Sequence, residues 1–567
     1  MTIRHTFLLI STLCCLCLTS KLEAADIHVP ASVTLHDALL QARDVLRKGE
    51  ARHVTLHLEP ATYRLTEPLV LHAEDNGITL DGHGATLSGA VRLTGWQQEG
   101  RLWVTEAPVI NGLPLRIRQL WVNGKKALRA TQYGHYKLER LLGFDAERHT
   151  MTIPTPANIA QLQQAQGLEM LVHQRWAIAI LRVKTLTPMG KQTLVTFQEP
   201  ESRLEFAHPW PQPIINGEQG SSSFCLMNAL CLVDEPGEWF QDAASGKIYY
   251  YPQPGERNDA LDAEAPVLER LLTVEGTEGL PVSGVIIKDV NFAYCGWSRP
   301  TRRGHVTLQG GFALTDAYRL STPGVPWCDR LDNQAWTERP DAAVRVEWGR
   351  QITFQNCSFN HLAATALDLA VGVKGVSVTE CRFTDIGGTA LMAGSFSEGG
   401  MEVHRPFRLA EGEAAYCDSL LILRNTISDA ANEDWGAVGI GCGYVRNTSI
   451  IDNTLSHLNY SGICVGWGWT PHDTGMRNNI ISGNHITDYA KMLYDVGGIY
   501  TLSYQPGSKI INNTIGEPAK APYATNNRAF KLYLDDSSGG FTISGNYLKQ
   551  TEIGTNHPGK IIYYEAN

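Results

Sequence analysis

One phrase of eight residues returns through the second half of the chain and restricts what the chain can fold into. It reads LLILRNTI from Leu420, TSIIDNTL from Thr448, NIISGNHI from Asn479, SKIINNTI from Ser508 and FTISGNYL from Phe541, with Asn in sixth place each time. Weaker copies start at Val285, Ile352 and Val376. The sixth-place residues therefore run Val290, Cys357, Cys381, Asn425, Asn453, Asn484, Asn513 and Asn546, with gaps of 24, 44, 28, 31, 29 and 33 from Cys357 onward. A repeat of that length is a solenoid signature. Third and eighth places are apolar, as in a short strand with one buried face. Second short strands follow: ALDLAV, ALMAG, AVGIG, GICVG and GIYTL. Strand, turn, strand, turn at this period predicts an all-β, right-handed parallel β-helix, each coil burying its apolar side on its neighbours. The five Asn are expected to stack at roughly 5 Å steps and pass amide hydrogen bonds from coil to coil. That role is structural.

Upstream, residues 1–25 read as a secretory signal: Arg4 and His5 precede an apolar run, Phe7 to Leu18, too short to span a bilayer. The expected location is secreted or periplasmic, and no other stretch reaches membrane-span length. TLHDALLQARDVLRK, from Thr34, has helical spacing and reads as a cap over the open end of the solenoid, with first coils continuing to residue 90. From 91 to 266 the period disappears, and short alternating segments between Gly, Pro and Asn turns predict an inserted antiparallel β-sandwich. Residues 267–567 then form the main β-helix, with a loop-rich projection from Trp297 to Pro340.

Charge excludes some partners. At a formal net charge of −10 with 19% charged residues, the chain carries no basic footprint for nucleic acid. An oligo- or polysaccharide substrate fits better. Of 12 Cys, Cys14, Cys15 and Cys17 leave with the signal. The remaining nine match no zinc spacing, so no metal and no cofactor is expected. Cys357 and Cys381 share a column, where stacked free thiols are favoured over a disulfide.

The segments RQLWVNGKKALRAT, EWFQDAASGKIYYYPQPGE, YSGICVGWGW, DVGGIYTLSYQPG and YLDDSSGG, in that order, resemble the secreted β-helix proteins of glycoside hydrolase family 141. The resemblance covers nearly the whole chain from Leu35. It implies a β-helix with a β-sandwich insertion, acting as an α-L-fucosidase or xylanase on plant cell-wall glycans, fucosylated pectin or xylan. Two further functions fit the scaffold: a polysaccharide lyase, with Lys531 or Arg528 as base, and a non-catalytic glycan-binding adhesin.

Glycoside hydrolysis needs two carboxyl groups flanking the bond. Aligning the second strands on Ala437, Gly462 and Gly498 puts Asp434, Asn459 and Asp495 in one column, with the two Asp roughly 9–10 Å apart. The family resemblance instead pairs Asp495 with Asp536, next to Asp535. Asp495, against the coil edge, is expected to hold its proton as general acid, and Asp536, in a polar DDSSGG turn, to stay ionised as base or nucleophile. Tyr460, Trp467, Trp469 and Tyr500 are candidate sugar platforms. At least one of the two Trp is expected to be exposed, because a narrow coil can hardly bury both.

Overall fold

In the computed structural model the described residues are 22–110, 112–134, 137–208, 210–316, 337–396, 398, 412–559 and 562–564. The signal segment up to residue 21 and Cys328 lie outside them.

Three parallel sheets of twelve, ten and nine strands run the length of the molecule, and the coils between its two ends give one short strand to each sheet. This is a parallel β-helix. The repeated phrase occupies the corner between the first and second of its strands. Its third-place residues, among them Phe354, Val378, Ile422, Ile450, Ile481 and Ile510, pair coil to coil in the twelve-stranded sheet and are buried. Its eighth-place residues, from Phe292, Phe359 and Phe383 to Ile515, stack in the nine-stranded sheet. The Phe359 and Phe383 rings lie parallel with centroids 4.6 Å apart.

At the corner itself the fifth place takes a left-handed backbone in every copy: Asp289, Asn356, Glu380, Arg424, Asp452, Gly483, Asn512 and Gly545 all have φ between 50° and 67°. A single left-handed residue turns the chain from one sheet to the next, and the following Asn is thereby pointed inward. Asn425, Asn453, Asn484, Asn513 and Asn546 form the expected ladder. The backbone N–H of each of the first four donates to the side-chain oxygen of the next, at 2.9–3.0 Å, as does its Nδ2 at 2.9 Å. Nδ2 also donates to a carbonyl of the preceding coil, as from Asn453 to Ile422 at 3.0 Å. All five are buried. Cys357 and Cys381 extend the column as free thiols, and the Cys381 thiol donates to the Phe354 carbonyl where an Asn amide would.

The open end is closed by the helix Leu35–Lys48, capped by Thr34 and ended by left-handed Gly49, with Leu35, Ala38, Leu39 and Ala42 turned onto the first coils. Between the strand pair Ala90–Leu93 and Ala263–Pro266 the chain leaves the β-helix and builds antiparallel sheets. The largest curls through Glu169–Gln174, Ala177–Met189, Gln192–Phe197 and Ser223–Met227, and it also takes His305–Val306 from the projecting loop.

A second column of left-handed residues, Tyr294, His361, Asp385 and Asp429, faces this insertion. Trp121, fully buried, packs edge-on against Tyr294 and donates its indole N–H to Asp385 at 2.7 Å, while Lys126 sits 3.0 Å from the same carboxylate. Those charges hold the Asp385 carboxyl well below its usual range despite the cost of burial. One hydrophobic cluster joins insertion residues Met170, Val172 and Phe224 to Met392, Trp467, Tyr500 and Tyr533 on the outer face of the ten-stranded sheet. The insertion therefore covers that face instead of projecting into solvent.

Candidate active site

Where cover and coil part, a cleft of about 270 Å³ opens. Its floor comes from three coils: Tyr460 and Trp469, then Asp495 and Tyr500, then Arg528, Tyr533, Asp535 and Asp536. Its roof is Arg175, Trp176 and Trp210 of the insertion with Leu308 and Gln309 of the loop. Arg175 and Trp176 are the two-residue tip of a hairpin, because Gln174 pairs with Ala177 across it. The tip is fixed: the Trp176 indole donates to the Leu308 carbonyl at 2.8 Å, and the Arg175 carbonyl accepts from the Tyr494 N–H at 3.1 Å.

Asp495 stands just before the strand Val496–Thr501 in a left-handed conformation, φ 60°. Its Oδ1 accepts from Arg528 Nε at 2.9 Å and from the Tyr533 hydroxyl at 3.0 Å. The Tyr460 hydroxyl donates to its carbonyl at 3.0 Å, so Tyr460 is a buried strut for this turn. Tyr500 and Tyr533 are register partners, with ring centroids 5.3 Å apart. Tyr533 thus reaches Asp495 at one end of the strands, while Tyr500 donates a short hydrogen bond to Asp535 at the other. That tyrosine pair spans the distance that separates the two acids along the chain.

Asp535 and Asp536 follow the strand Ala529–Leu534. Both oxygens of Asp535 are engaged, Oδ2 by Tyr500 and Oδ1 by Asn556 at 2.8 Å. Burial pushes its carboxyl from 3.8 up to about 6. Asp536 Oδ1 accepts from His557 Nδ1 at 3.0 Å, and 22% of its side chain is exposed. Burial raises its pKa too, and the His557 hydrogen bond holds it back. The expected DDSSGG donors are turned elsewhere: the Ser538 hydroxyl serves Thr501, and the Ser537 N–H the His557 carbonyl. The expectation that Asp536 sits in a charge-favouring turn does not hold; Asp495 is the one with charged and hydroxyl donors.

Asp434 is elsewhere. Strand register pairs Ile440 with Ile463 and Ile463 with Ile499, so Gly439 stands level with Gly462 and Gly498. The alignment on Ala437 was two residues out, and Gly436, not Asp434, continues the column of Asn459 and Asp495. Asp434 is buried against His305 Nε2 at 2.9 Å, in a separate cavity. The two Trp also correct the expectation, since both are buried, Trp467 at 3% and Trp469 at 7% exposure. Both belong to a second core outside the coil interior, where Trp467 packs against Phe312 and Phe396 and Trp469 packs edge-on against Trp467. Only Trp469 of the two lines the cleft.

Sequence reasoning missed Arg175, Trp176 and Trp210, because the insertion has no period to align. A signal was present in QRWA and HPWPQ, where Trp stands among turn residues rather than in an apolar run.

Compared with known proteins, a family model described as the GH141 insertion domain matches residues 100–253. A solved structure described as a glycoside hydrolase is 35% identical over 95% of this chain and 96% of its own, with a TM-score of 0.91. The complex of XylC with xylose is 10% identical over 92% of this chain and 75% of its own, at a TM-score of 0.37. A GH136 lacto-N-biosidase from Eubacterium ramulus is 9% identical over 55% of this chain and 53% of its own, at 0.27. No curated protein matches the chain. The match of this insertion domain, together with 35% identity to a glycoside hydrolase over nearly the whole length of both chains, places the chain in glycoside hydrolase family 141.

Proposed function

We propose that the protein is an exported hydrolase of uncharged or weakly charged plant cell-wall glycans, fucosylated pectin or xylan, acting through Asp536 and Asp495. The observation that carries this reading is the pairing of unlike carboxyl environments in one cleft. Asp536 is half-buried, its pKa raised by that burial, and has one oxygen, Oδ2, without a protein partner among the described contacts. Asp495 accepts a guanidinium and a phenol on Oδ1. A desolvated carboxyl suits the acid, and one held by guanidinium and phenol donors suits the base or nucleophile.

Asp536 would donate its proton to the glycosidic oxygen as the bond to the anomeric carbon breaks. Asp495 would attack that carbon or take a proton from the attacking water. Arg528 and Tyr533 keep its oxygen oriented. This reverses the roles that the sequence suggested for the two acids. Asp535, with both oxygens bound by Tyr500 and Asn556, holds the end of the strand in place. Trp210, 37% exposed, and Trp176 offer apolar faces for sugar rings on the roof.

A lyase is less well supported. Lys531 is committed to Glu517 at 2.9 Å and Glu552 at 3.2 Å, and Arg528 to Asp495, which leaves neither candidate base free. The test is incubation of the purified protein with fucosylated pectin fragments and with xylan, with sugar analysis and ultraviolet absorbance of the products. Released reducing sugar without an unsaturated chromophore supports the proposal. A chromophore would make it a lyase, and binding with no product a lectin.

A further inference from the structure

Far from the cleft, on the outer face of the first coils, three side chains converge that the hydrolytic reading does not use. His57 and Asp81 come from the neighbouring strands Ala51–Leu58 and Ile78–Asp81, where they are register partners, and His83 from the turn that follows. His57 Nδ1 lies 3.1 Å from His83 Nε2, and Asp81 Oδ2 lies 3.6 Å and 3.5 Å from those two nitrogens. Ligands held at about 2.0–2.2 Å around a tetrahedral ion stand about 3.3–3.5 Å from each other, so this triangle has the size of one tetrahedral face.

Three further observations bear on it. His57 Nε2 is 3.1 Å from Asp26 Oδ1, and a carboxylate accepting there leaves Nδ1 as the lone pair that faces the triangle. Asp81 is 3% exposed, and its second oxygen, Oδ1, is buried with no hydrogen-bond partner. A carboxylate buried in that state costs free energy unless a cation answers it. Lys288, the register partner of Asp81 in the next coil, places its ammonium 2.8 Å from Oδ2. That ammonium is on a long stem, 36% exposed, and free to swing into water.

We propose that His57, His83 and Asp81 bind one divalent transition-metal ion of the zinc class, with a water in the fourth position and Asp26 orienting His57. Two imidazoles and one carboxylate suit zinc better than calcium or magnesium, which select oxygen. The ion replaces the proton that the two imidazoles otherwise share and displaces Lys288 as the positive partner of Asp81. Its place is structural: it ties the second and third strands of the twelve-stranded sheet beside the helical cap.

Equilibrium dialysis of the purified full chain, without an oligohistidine tag, against Zn²⁺ tests this. One ion per chain is expected, with at least ~10-fold weaker binding in His83→Ala and in His57→Ala, and ~10–100-fold weaker binding in Asp26→Asn. His83 is a surface turn residue, so its variant removes a ligand without opening the core. Lys288→Gln should bind more tightly and the exposed His457→Ala unchanged. In parallel, Co²⁺ should give the visible absorption of a four-coordinate ion in the wild type and not in His83→Ala. Absence of bound metal in the wild type, or equal affinity in His83→Ala, overturns the proposal, as does weaker binding in Lys288→Gln.

Discussion

The corner that carries the Asn ladder and the edge that carries the cleft belong to the same coils, yet they are built on opposite terms. At the corner, every copy of the phrase repeats one left-handed residue and the last five repeat one inward Asn, whose side-chain atoms find partners in the coils above and below. At the cleft edge nothing repeats. Consecutive coils present Cys464, Tyr500 and Tyr533 at one register position, and the partners that satisfy them come from an unrelated part of the sequence or from acids past the strand end. Periodicity gives stability cheaply because a single solution serves every coil. Chemistry needs unlike neighbours, so the functional edge had to leave the repeat.

That contrast can be broken most sharply at the acids. Asp495→Asn and Asp536→Asn should each lower turnover at least ~10²-fold with little change in unfolding midpoint. A substrate with an activated aryl leaving group should rescue Asp536→Asn and not Asp495→Asn; the opposite pattern would restore the assignment read from the sequence. At the corner the reverse holds. Asn484→Ala strands the N–H and Nδ2 of Asn453 and should cost about 2–4 kcal/mol in denaturant unfolding, while activity per folded molecule stays near the wild-type level. A loss of turnover out of proportion to the folded fraction would show that the two regions are not separable.

Asp535 sharpens the comparison through pH. Its folded carboxyl holds a proton up to about 6 against 3.8 ordinarily, so the folded state binds more protons than the unfolded chain between those values. Stability attributable to this group falls as pH rises through that window, and the penalty is complete above about 6. Asp535→Asn should therefore gain stability at about pH 7 relative to about pH 4, on the order of 3 kcal/mol compared with wild type. Identical pH slopes in paired urea titrations would count against a buried, costly carboxylate there.

Smaller effects remain. Trp210→Ala should raise KM by about 5-fold, roughly 1 kcal/mol, with kcat preserved, as the loss of one exposed sugar platform. Arg424→Gly, at a left-handed corner where the side chain makes only a surface ion pair with Glu380, should stabilise by up to about 1 kcal/mol. A destabilised Arg424→Gly would mean that the corner gains more from its side chain than from a relaxed backbone.

How much of this could be read in advance follows the same division. The Asn column, its Cys continuation, the strand spacing and the cap helix were legible because one residue decides one local outcome and the outcome recurs. The segments read as second strands, which are the third of each coil because the phrase itself spans two, were legible but not in register: AVGIG invited alignment on its Ala, whereas Gly439 is the residue packed on Gly462. That error moved Asp434 into a column where it does not belong. The burial of Trp467 and Trp469 was illegible for a different reason. It depends on the insertion lying over the sheet, and no residue near the two Trp encodes that contact. Asp535 was visible as a neighbour of Asp536, but its two partners, Tyr500 and Asn556, arrive from a coil on either side.

The Asn ladder is also directional. In the first four Asn the backbone N–H donates forward, to the side-chain oxygen of the coil that follows, while Nδ2 divides its two hydrogens between that oxygen and a carbonyl of the coil before. A chain emerging from its N-terminus therefore always ends in a coil with donors waiting, and the next coil to appear is the one that fits them. The molecule grows like a polar filament, with the capped end inert and the advancing end a template. It also follows that a coil duplicated whole, corner residue and Asn together, joins the column without altering the hydrogen bonds of those on either side.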